Sequence, residues 1–325
     1  MSSPYKLAHY LTRRLNAVMQ SQNCFDTTEG LPIDSRRVRR LFAAPGKVAE
    51  SGFLRREIAD RMHERLSVVK IAPQRVLDAG CGEGADLPEL RKRFPDAQVL
   101  GADASPGMLA EASVRYNAAP QRSGGLFGKW RKKAGAGFSL VCCDFARLPL
   151  AGGAIDVLWS NLALHWHSRA DQVFAEWLRV LRTDGVLMFS CFGPDTLQEL
   201  RAAFAEIDNY PHVLPFTEMH DLGDMLVAAG FSSPVLDREV ITVTYGSVDK
   251  LLADVRAFGG NALANRRHGL FGRQARKRID QFFEERKNSD GRFSLSFEII
   301  YGHAFRPAPA MTSNGEKIVH FLPRG

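Results

Sequence analysis

Long apolar runs are what this 325-residue chain most plainly lacks. No stretch approaches the roughly 18 consecutive apolar residues that a membrane-crossing helix needs, so no such span is expected. Cysteine is scarce: Cys24, Cys81, Cys142, Cys143 and Cys191 are the five, with no CxxC pair and no Cys/His ligand spacing. That argues against a zinc site and against a disulfide framework, so no metal is expected and a reducing compartment, the cytoplasm, is. There is no GKS or GKT, which removes a P-loop, and no full GxGxxG, which removes the usual dinucleotide turn. Acids are in deficit, 36 Asp and Glu against 43 Lys and Arg, for a net charge of +7. Such a surplus favours an acidic partner. Much of it is local, in "SRRVRRLF" from Ser35 and in "RSGGLFGKWRKKAGAG" from Arg122. The second stretch has five glycines and no acid, and a surface insertion over 119–137 is expected there. Its single aromatic, Trp130, makes no stacking platform, so nucleic acid is not the expected partner. The start, "MSSPYKLAHYLTRRLNAVMQ", is basic and loosely amphipathic. It leaves two readings open, a mitochondrial transit peptide and a flexible or docking N-terminus.

What the chain does have is an alternation. Apolar runs "QRVLDAG", "AQVLGAD", "FSLVCCDF", "AIDVLWSN" and "GVLMFSCFG" are separated by helical patterns such as "ADLPELRKRF", "PGMLAEASVRY" and "RADQVFAEWLRVLR". Alternation of this kind builds a parallel sheet covered by helices. In the last of these segments Val173, Phe174, Trp177, Val180 and Leu181 form one stripe, ended by the turn Asp184–Gly185. After Gly193 comes "DTLQELRAAFAEI", with Leu197, Leu200 and Phe204 on one face. Then comes "TEMHDLGDMLVAAGF", with Thr217 placed to cap a helix and Gly230 to end it. A strand "EVITVTY", two more helical segments and "RFSLSFEIIYGHAF" complete the pattern, the last with Phe293, Leu295, Phe297, Ile299 and Tyr301 on one side. The expected architecture is α/β, a mostly parallel seven-stranded sheet with helices on both faces and helical insertions toward the C-terminus. The expected divisions are a helical or lid segment at 1–57, a core at 58–231, and an extension at 232–325 that completes the sheet.

The most informative stretch is "VLDAGCGEGADLPEL", from Val76 to Leu90. In an open parallel sheet, ligands sit beyond the carboxyl ends of the strands where strand order reverses. Gly80, Gly82 and Gly84 permit close approach by a ligand there. Asp78 stands just before them and would repel a diphosphate but attract an ammonium group. Asp103, ending "VLGAD", is spaced to accept hydrogen bonds from ribose hydroxyls. Asp144 and Phe145, ending the third run, suit an adenine, one accepting from its amine and the other packing on its ring. A ligand with ammonium, ribose and adenine but no phosphate is S-adenosyl-L-methionine.

In order, "VLDAGCGEG", "VLGADASPGML", "CDFARLPL", "IDVLWSNLALHW" and "LRVLRTDGVLMFS" resemble the motifs of class I S-adenosylmethionine-dependent methyltransferases over about 75–190. The resemblance implies a Rossmann-like fold and a cofactor site built from Asp78, Gly80, Gly82, Gly84, Asp103, Ala104, Met108, Asp144, Phe145 and Asn161. Asn161 and Leu162 follow the fourth strand, and His165 and Trp166 fall at the same mouth, with His165 either a general base or a packed histidine. The segments "FSCFGPDTLQELRAAFAEIDNYPHVLPFTEMHDLGDMLVAAGF", "LLADVRAFGGNAL" and "GRFSLSFEIIYGHAF" are similar to malonyl-acyl-carrier-protein O-methyltransferases of biotin synthesis. They are similar also to arginine hydroxylases that assemble respiratory complex I, and "GPDTLQELR" and "PFTEMHDLG" lean that way. The first resemblance implies esterification of a malonyl carboxylate on an acidic acyl carrier protein. Arg201, His212 and Arg256 are then candidates to hold the carboxylate, and Arg36 to Arg40 to receive the carrier or its phosphopantetheine arm. The hydroxylase, a non-catalytic assembly factor that binds the cofactor, and another small-molecule or RNA methyltransferase stay open.

Overall fold

The computed structural model describes residues 30–43, 46, 52–117, 137–269 and 272–309. The possible transit segment, Cys24, Trp130 and all but the last residue of the 119–137 insertion lie outside the described residues. The chain divides into two units, Met1–Leu31 and Pro32–Gly325, and the fold below is that of the second.

Five apolar runs become five parallel strands: β1 (Arg75–Ala79), β2 (Gln98–Asp103), β3 (Ser139–Cys142), β4 (Ile155–Asn161) and β5 (Leu181–Phe192). The two late strands, β6 (Ser232–Tyr245) and β7 (Phe293–Phe305), add to them antiparallel. The order is β3-β2-β1-β4-β5-β7-β6, so the chain reverses direction across the sheet at β1, between β2 and β4. Nine α-helices are described: α1 (Ser35–Leu41), α2 (Gly52–Leu66), α3 (Leu87–Arg93), α4 (Pro106–Asn117), α5 (Ala170–Val180), α6 (Gln198–Ala205), α7 (Met219–Ala229), α8 (Val248–Ala257) and α9 (Arg273–Glu284).

Side-chain alternation distributes the sheet between two cores. From β5, Val186, Met188 and Phe192 enter one core with Ile58 and Met62 of α2, Leu251 of α8 and Phe282 of α9. Leu187, Phe189 and Cys191 enter the other with Phe174 and Trp177 of α5 and Leu222 and Leu226 of α7. Each such side chain contributes about 1.5–3 kcal/mol on full burial. On β7 the expected row Phe293, Leu295, Phe297, Ile299 and Tyr301 faces the first core, and Ile300 and Ala304 face the second. No helix among the described residues is long and apolar enough to cross a membrane.

The structure corrects several local expectations. The stripe helix ends at Val180, because Leu181 turns extended and pairs with Ile155. The next helix starts at Gln198, not near Asp195. Its leading residues are spent on β7: Asp195 N–H donates to Glu298 Oε2 (2.8 Å), Thr196 Oγ1 to Glu298 O (3.0 Å) and Leu197 N–H to Ser296 O (2.7 Å). Thr217 caps nothing, since α7 begins after Glu218 without a side-chain cap; Gly230 does end that helix. The larger unit begins at Pro32. There Ile33 bridges Leu263, Asp34 N–H donates to Ala262 O (2.9 Å), and Ala264 N–H donates to Pro32 O (2.9 Å).

Candidate functional site

At the reversal point the β1 tip turns through Gly80 at φ +82°, and Gly80 and Cys81 N–H both donate to Ala102 O of β2 (2.8 and 3.0 Å). The turn is clamped from the other strand. Asp103, at the end of β2, accepts from Gly82 N–H through Oδ2 (2.9 Å) and from Ser105 N–H through Oδ1 (2.7 Å). Beneath the turn Asp78 is 2% exposed and makes no hydrogen bond within the described residues. Burial, then the charges of Asp86 and Asp103, push its carboxyl well above the usual carboxylate range. Asp86 accepts from Trp159 Nε1 (2.9 Å) and Asn161 Nδ2 (3.1 Å), which oppose the upward push of its burial. Asn161 is fully engaged, donating also to Arg55 O (3.0 Å) and accepting from Ser190 Oγ (2.9 Å).

These groups line a cavity of about 130 Å³. Of the expected cofactor residues, Asp78, Gly80, Gly82, Asp103, Ala104, Met108, Phe145 and Asn161 line it, as do Leu162 and Trp166. Two do not. A Cβ on Gly84 would meet Leu87 Cδ1 at 3.0 Å and Ala112 Cβ at 3.2 Å, so this glycine lets two helices approach. Asp144 is half exposed and accepts from Ala146 N–H (2.9 Å), closing its own turn rather than facing the cavity. The structure adds Arg55, Glu83 and Asp86 to the wall. Glu83 is 7% exposed, with one buried oxygen unpaired and Arg115 at 3.6 Å. Two buried acids, the half-buried Asp86 and the Asp103 clamp favour a ligand with positive charge, and Arg55 offers a cation for an accompanying carboxylate.

A second cavity, about 800 Å³, opens over β5 and β7 beneath α6, α8 and α9. Its walls carry Arg37, Arg40, Arg256, Arg266, Arg267 and Arg276 and, among the described residues, no acid. Its apolar lining includes Phe192, Leu200, Phe216, Phe258 and Phe297. Trp166 lines both cavities. The indole is held edge-on by Phe42 (centroids 5.1 Å apart) and packs where a Cβ on Gly259 would lie 2.5 Å from it. α1 is shared too, Val38 and Arg39 lining the first cavity and Arg37, Arg40 and Leu41 the second.

Residues 77–189 match the family model described as "Methyltransferase domain". The curated malonyl-[acyl-carrier protein] O-methyltransferase of Laribacter hongkongensis is 45% identical over 301 residues, 91% of this chain and 98% of that protein. Its namesake from a Methylovorus species is 43% identical, over 92% of this chain and 98% of that protein. This chain belongs to the malonyl-[acyl-carrier protein] O-methyltransferase family. The crystal structure of the YcgJ protein from Bacillus subtilis aligns with TM-score 0.53 at 16% identity, covering 76% of this chain and 98% of that one, which is agreement of fold.

In this O-methyltransferase family member the four candidate catalytic positions separate. His165 lines neither cavity. It is 6% exposed among Trp166, Phe192 and Phe216, its Nδ1 accepts from Phe192 N–H (3.4 Å), and its Nε2 is buried and unpaired. Burial lowers its pKa to about 3. Arg201 is exposed, donates to Pro194 O (3.1 Å), and lines neither cavity. His212 lines the second cavity but is committed, stacked on Phe204 (4.0 Å) with Nε2 2.8 Å from Asp208 Oδ1. Arg256 lines the second cavity and is exposed.

A neutral buried histidine leaves a signature in acid. The folded His165 pKa lies below its unfolded value, so its contribution is intact above about pH 6.5 and is lost as pH falls toward 3, by roughly 1.4 kcal/mol per unit. His63, also lowered by burial, adds to the trend. His165→Phe should therefore unfold at lower pH than the parent in an acid titration followed by circular dichroism, while retaining methyl transfer. Loss of transfer in a folded variant would restore His165 as a base.

Proposed function

We propose that this enzyme transfers the methyl group of S-adenosyl-L-methionine to the free carboxylate of a malonyl thioester on an acyl carrier protein, as biotin synthesis requires. The observation that carries the reading is the pair of cavities meeting at Trp166, one walled by buried acids and the other by arginines with no acid among the described residues. The arginine-hydroxylase and assembly-factor readings give way to it. Relatives at 42–45% identity over 88–92% of the chain bear the O-methyltransferase name.

The cofactor supplies an electrophilic methyl on a sulfonium. Asp78 would neutralise the ammonium of its amino-acid end, Arg55 would receive the carboxylate of that end, and Asp103 would take the ribose hydroxyls while holding Gly82. Phe145 and Met108 enclose the base. The acceptor carboxylate is already ionised at neutral pH, so the attacking oxygen gives up no proton. The bound cofactor would supply the methyl carbon for the new C–O bond at the cost of its C–S bond, the electron pair of which would stay on sulfur. A cation and an anion vanish together, so a site that excludes water favours the transition state. Trp166, Phe42 and Leu162 supply that exclusion, and alignment of the two cavities supplies proximity, which is worth about 7–11 kcal/mol when geometry is good. A general base has no task here, in keeping with His165.

Purified enzyme with malonyl carrier protein and methyl-labelled cofactor should give a base-labile methyl ester on the carrier. Acetyl carrier protein, lacking the carboxylate, should stay unlabelled. Absence of ester under conditions where the cofactor binds would overturn the proposal.

A further inference from the structure

The arginines of the second cavity are unequal. Arg267 donates to Asp208 (2.8 Å), and Arg276 pairs with Asp249 (2.8 Å) and Asp280 (2.9 Å). On the α1 side the arrangement differs. Arg37 spends only Nε, on Asn261 O (2.7 Å), and Arg266 only one terminal nitrogen, on Leu263 O (2.9 Å). The exposed guanidinium of Arg40 makes no hydrogen bond or ion pair among the described residues. These three stand close enough that the Arg37 guanidinium is held below its ordinary value, first by burial and then by the charges of Arg266 and Arg40. Among the described residues the acid acting on Arg37 is Asp34, and its Oδ1 accepts from the N–H groups of Arg36 and Arg37 (both 3.0 Å). Three cations therefore face one anion that already has an occupation.

The cluster is also built to stay in place. Nε of Arg37 and the guanidinium of Arg266 are tied to carbonyls of the segment that bridges Ile33, so the unused N–H groups are pre-oriented. The same cavity is lined by the apolar Leu41, Phe216 and Phe297 and by Trp166, where the acceptor must meet the cofactor. A ligand that fits is an extended chain with a reactive end, an uncharged middle and a phosphate at its far end.

We infer that Arg37, Arg40 and Arg266 form a phosphate site that receives the phosphodiester of the carrier protein's pantetheine arm, so that the arm threads the second cavity toward Trp166. This rests on the proposed carrier substrate for the identity of the arm. The site measures the acceptor from its phosphate end and leaves the carboxylate end free of a tight guanidinium pair that would blunt its nucleophilicity.

Binding tests the site without the reaction. Calorimetry on the full chain with 4′-phosphopantetheine and with pantetheine should show at least tenfold tighter binding of the phosphorylated compound at low salt, the preference shrinking as ionic strength rises. Arg40→Met should cut the preference several-fold and Arg40→Lys should retain most of it. Arg40→Met with Arg266→Met should erase it, and Arg201→Met, outside the cavity, should leave it intact. Equal affinity for the two compounds, binding of neither, or a preference indifferent to Arg40→Met overturns the inference. A retained phosphate preference in an enzyme that fails to esterify malonyl carrier protein would keep the site and sink the proposed reaction instead.

Discussion

Asp78→Asn is expected to raise the melting temperature of the ligand-free protein and to weaken cofactor binding on the order of 30-fold or more. Both effects come from one fact. The Asp78 carboxyl is buried, has no hydrogen bond within the described residues, and lies near Asp86 and Asp103. Its folded pKa is above its unfolded value, so the folded state is penalised wherever the unfolded carboxyl is ionised. The penalty appears as pH rises through the ordinary carboxylate range and is in force at neutral pH. Asn keeps the shape and removes the charge. Relief of about 2 kcal/mol, a modest fraction of the cost of an uncompensated buried ion, would move the melting temperature by about 3 °C in a chain of this length. The same charge is what a bound ammonium repays, and truncating one partner of a desolvated pair costs about 2–5 kcal/mol of affinity. Thermal melts without ligand and calorimetry with S-adenosylhomocysteine read the two effects separately. Weaker binding without a rise in melting temperature would make Asp78 a structural acid and refute the electrostatic reading.

The acid pair Asp78 and Asp103 was legible in the sequence because each closes an apolar run, and the pleat of adjacent parallel strands brings their tips together. Asp86 was not. It sits among residues that read as the start of a helix, and only the fold sets its carboxylate between Trp159 and Asn161, more than seventy residues away. Asp144 differs in the opposite direction, lying outside the lining of the cavity. It occupies the strand-tip position that the pattern favours, but a short Asx-type turn onto Ala146 uses the carboxylate locally.

β5 was legible because its residues 185–192 are buried on both faces and stand out as an apolar run, and β7 because its large apolar residues from Phe293 to Tyr301 fall on one side. β6 was recognised only at its C-terminal half, since its exposed half alternates with Val235, Asp237 and Glu239 and borrows its length from pairing with β7. The second cavity left only scattered signs in the sequence, Arg37, Arg40, His212 and Arg256 among the expected residues, and nothing that joined them. Its wall collects residues from Arg37 to Phe297, and what unites them is that α6, α8 and α9 are inserted around the late strands. The basic stretch around Arg36 to Arg40 drew notice for its charge, but the sequence could not say that Arg39 and Arg40 would look into different cavities.

Adjacent glycines in the turn should respond in opposite ways to the same methyl group. At Gly80 a Cβ would stand 2.3 Å from Ala163 Cβ, a short side chain fixed to backbone that cannot swing away, and the residue has φ +82°. The left-handed conformation costs about 1–2 kcal/mol for an L side chain, and overpacking adds about 1–3 kcal/mol. Gly80→Ala is therefore expected to lose roughly 2–5 kcal/mol of stability in urea denaturation, and to lose cofactor binding as a consequence of the displaced turn. Gly82, at φ +53°, has nothing within 4 Å of its Cβ position, and that open space is the cavity. Gly82→Ala should cost only the conformational share, about 1–2 kcal/mol, and remain folded at room temperature. Its methyl group occupies volume that the cofactor must enter, so affinity should fall at least tenfold in a protein whose unfolding is little changed. If Gly82→Ala bound S-adenosylhomocysteine as tightly as the parent, the cofactor would have to lie elsewhere than against this turn.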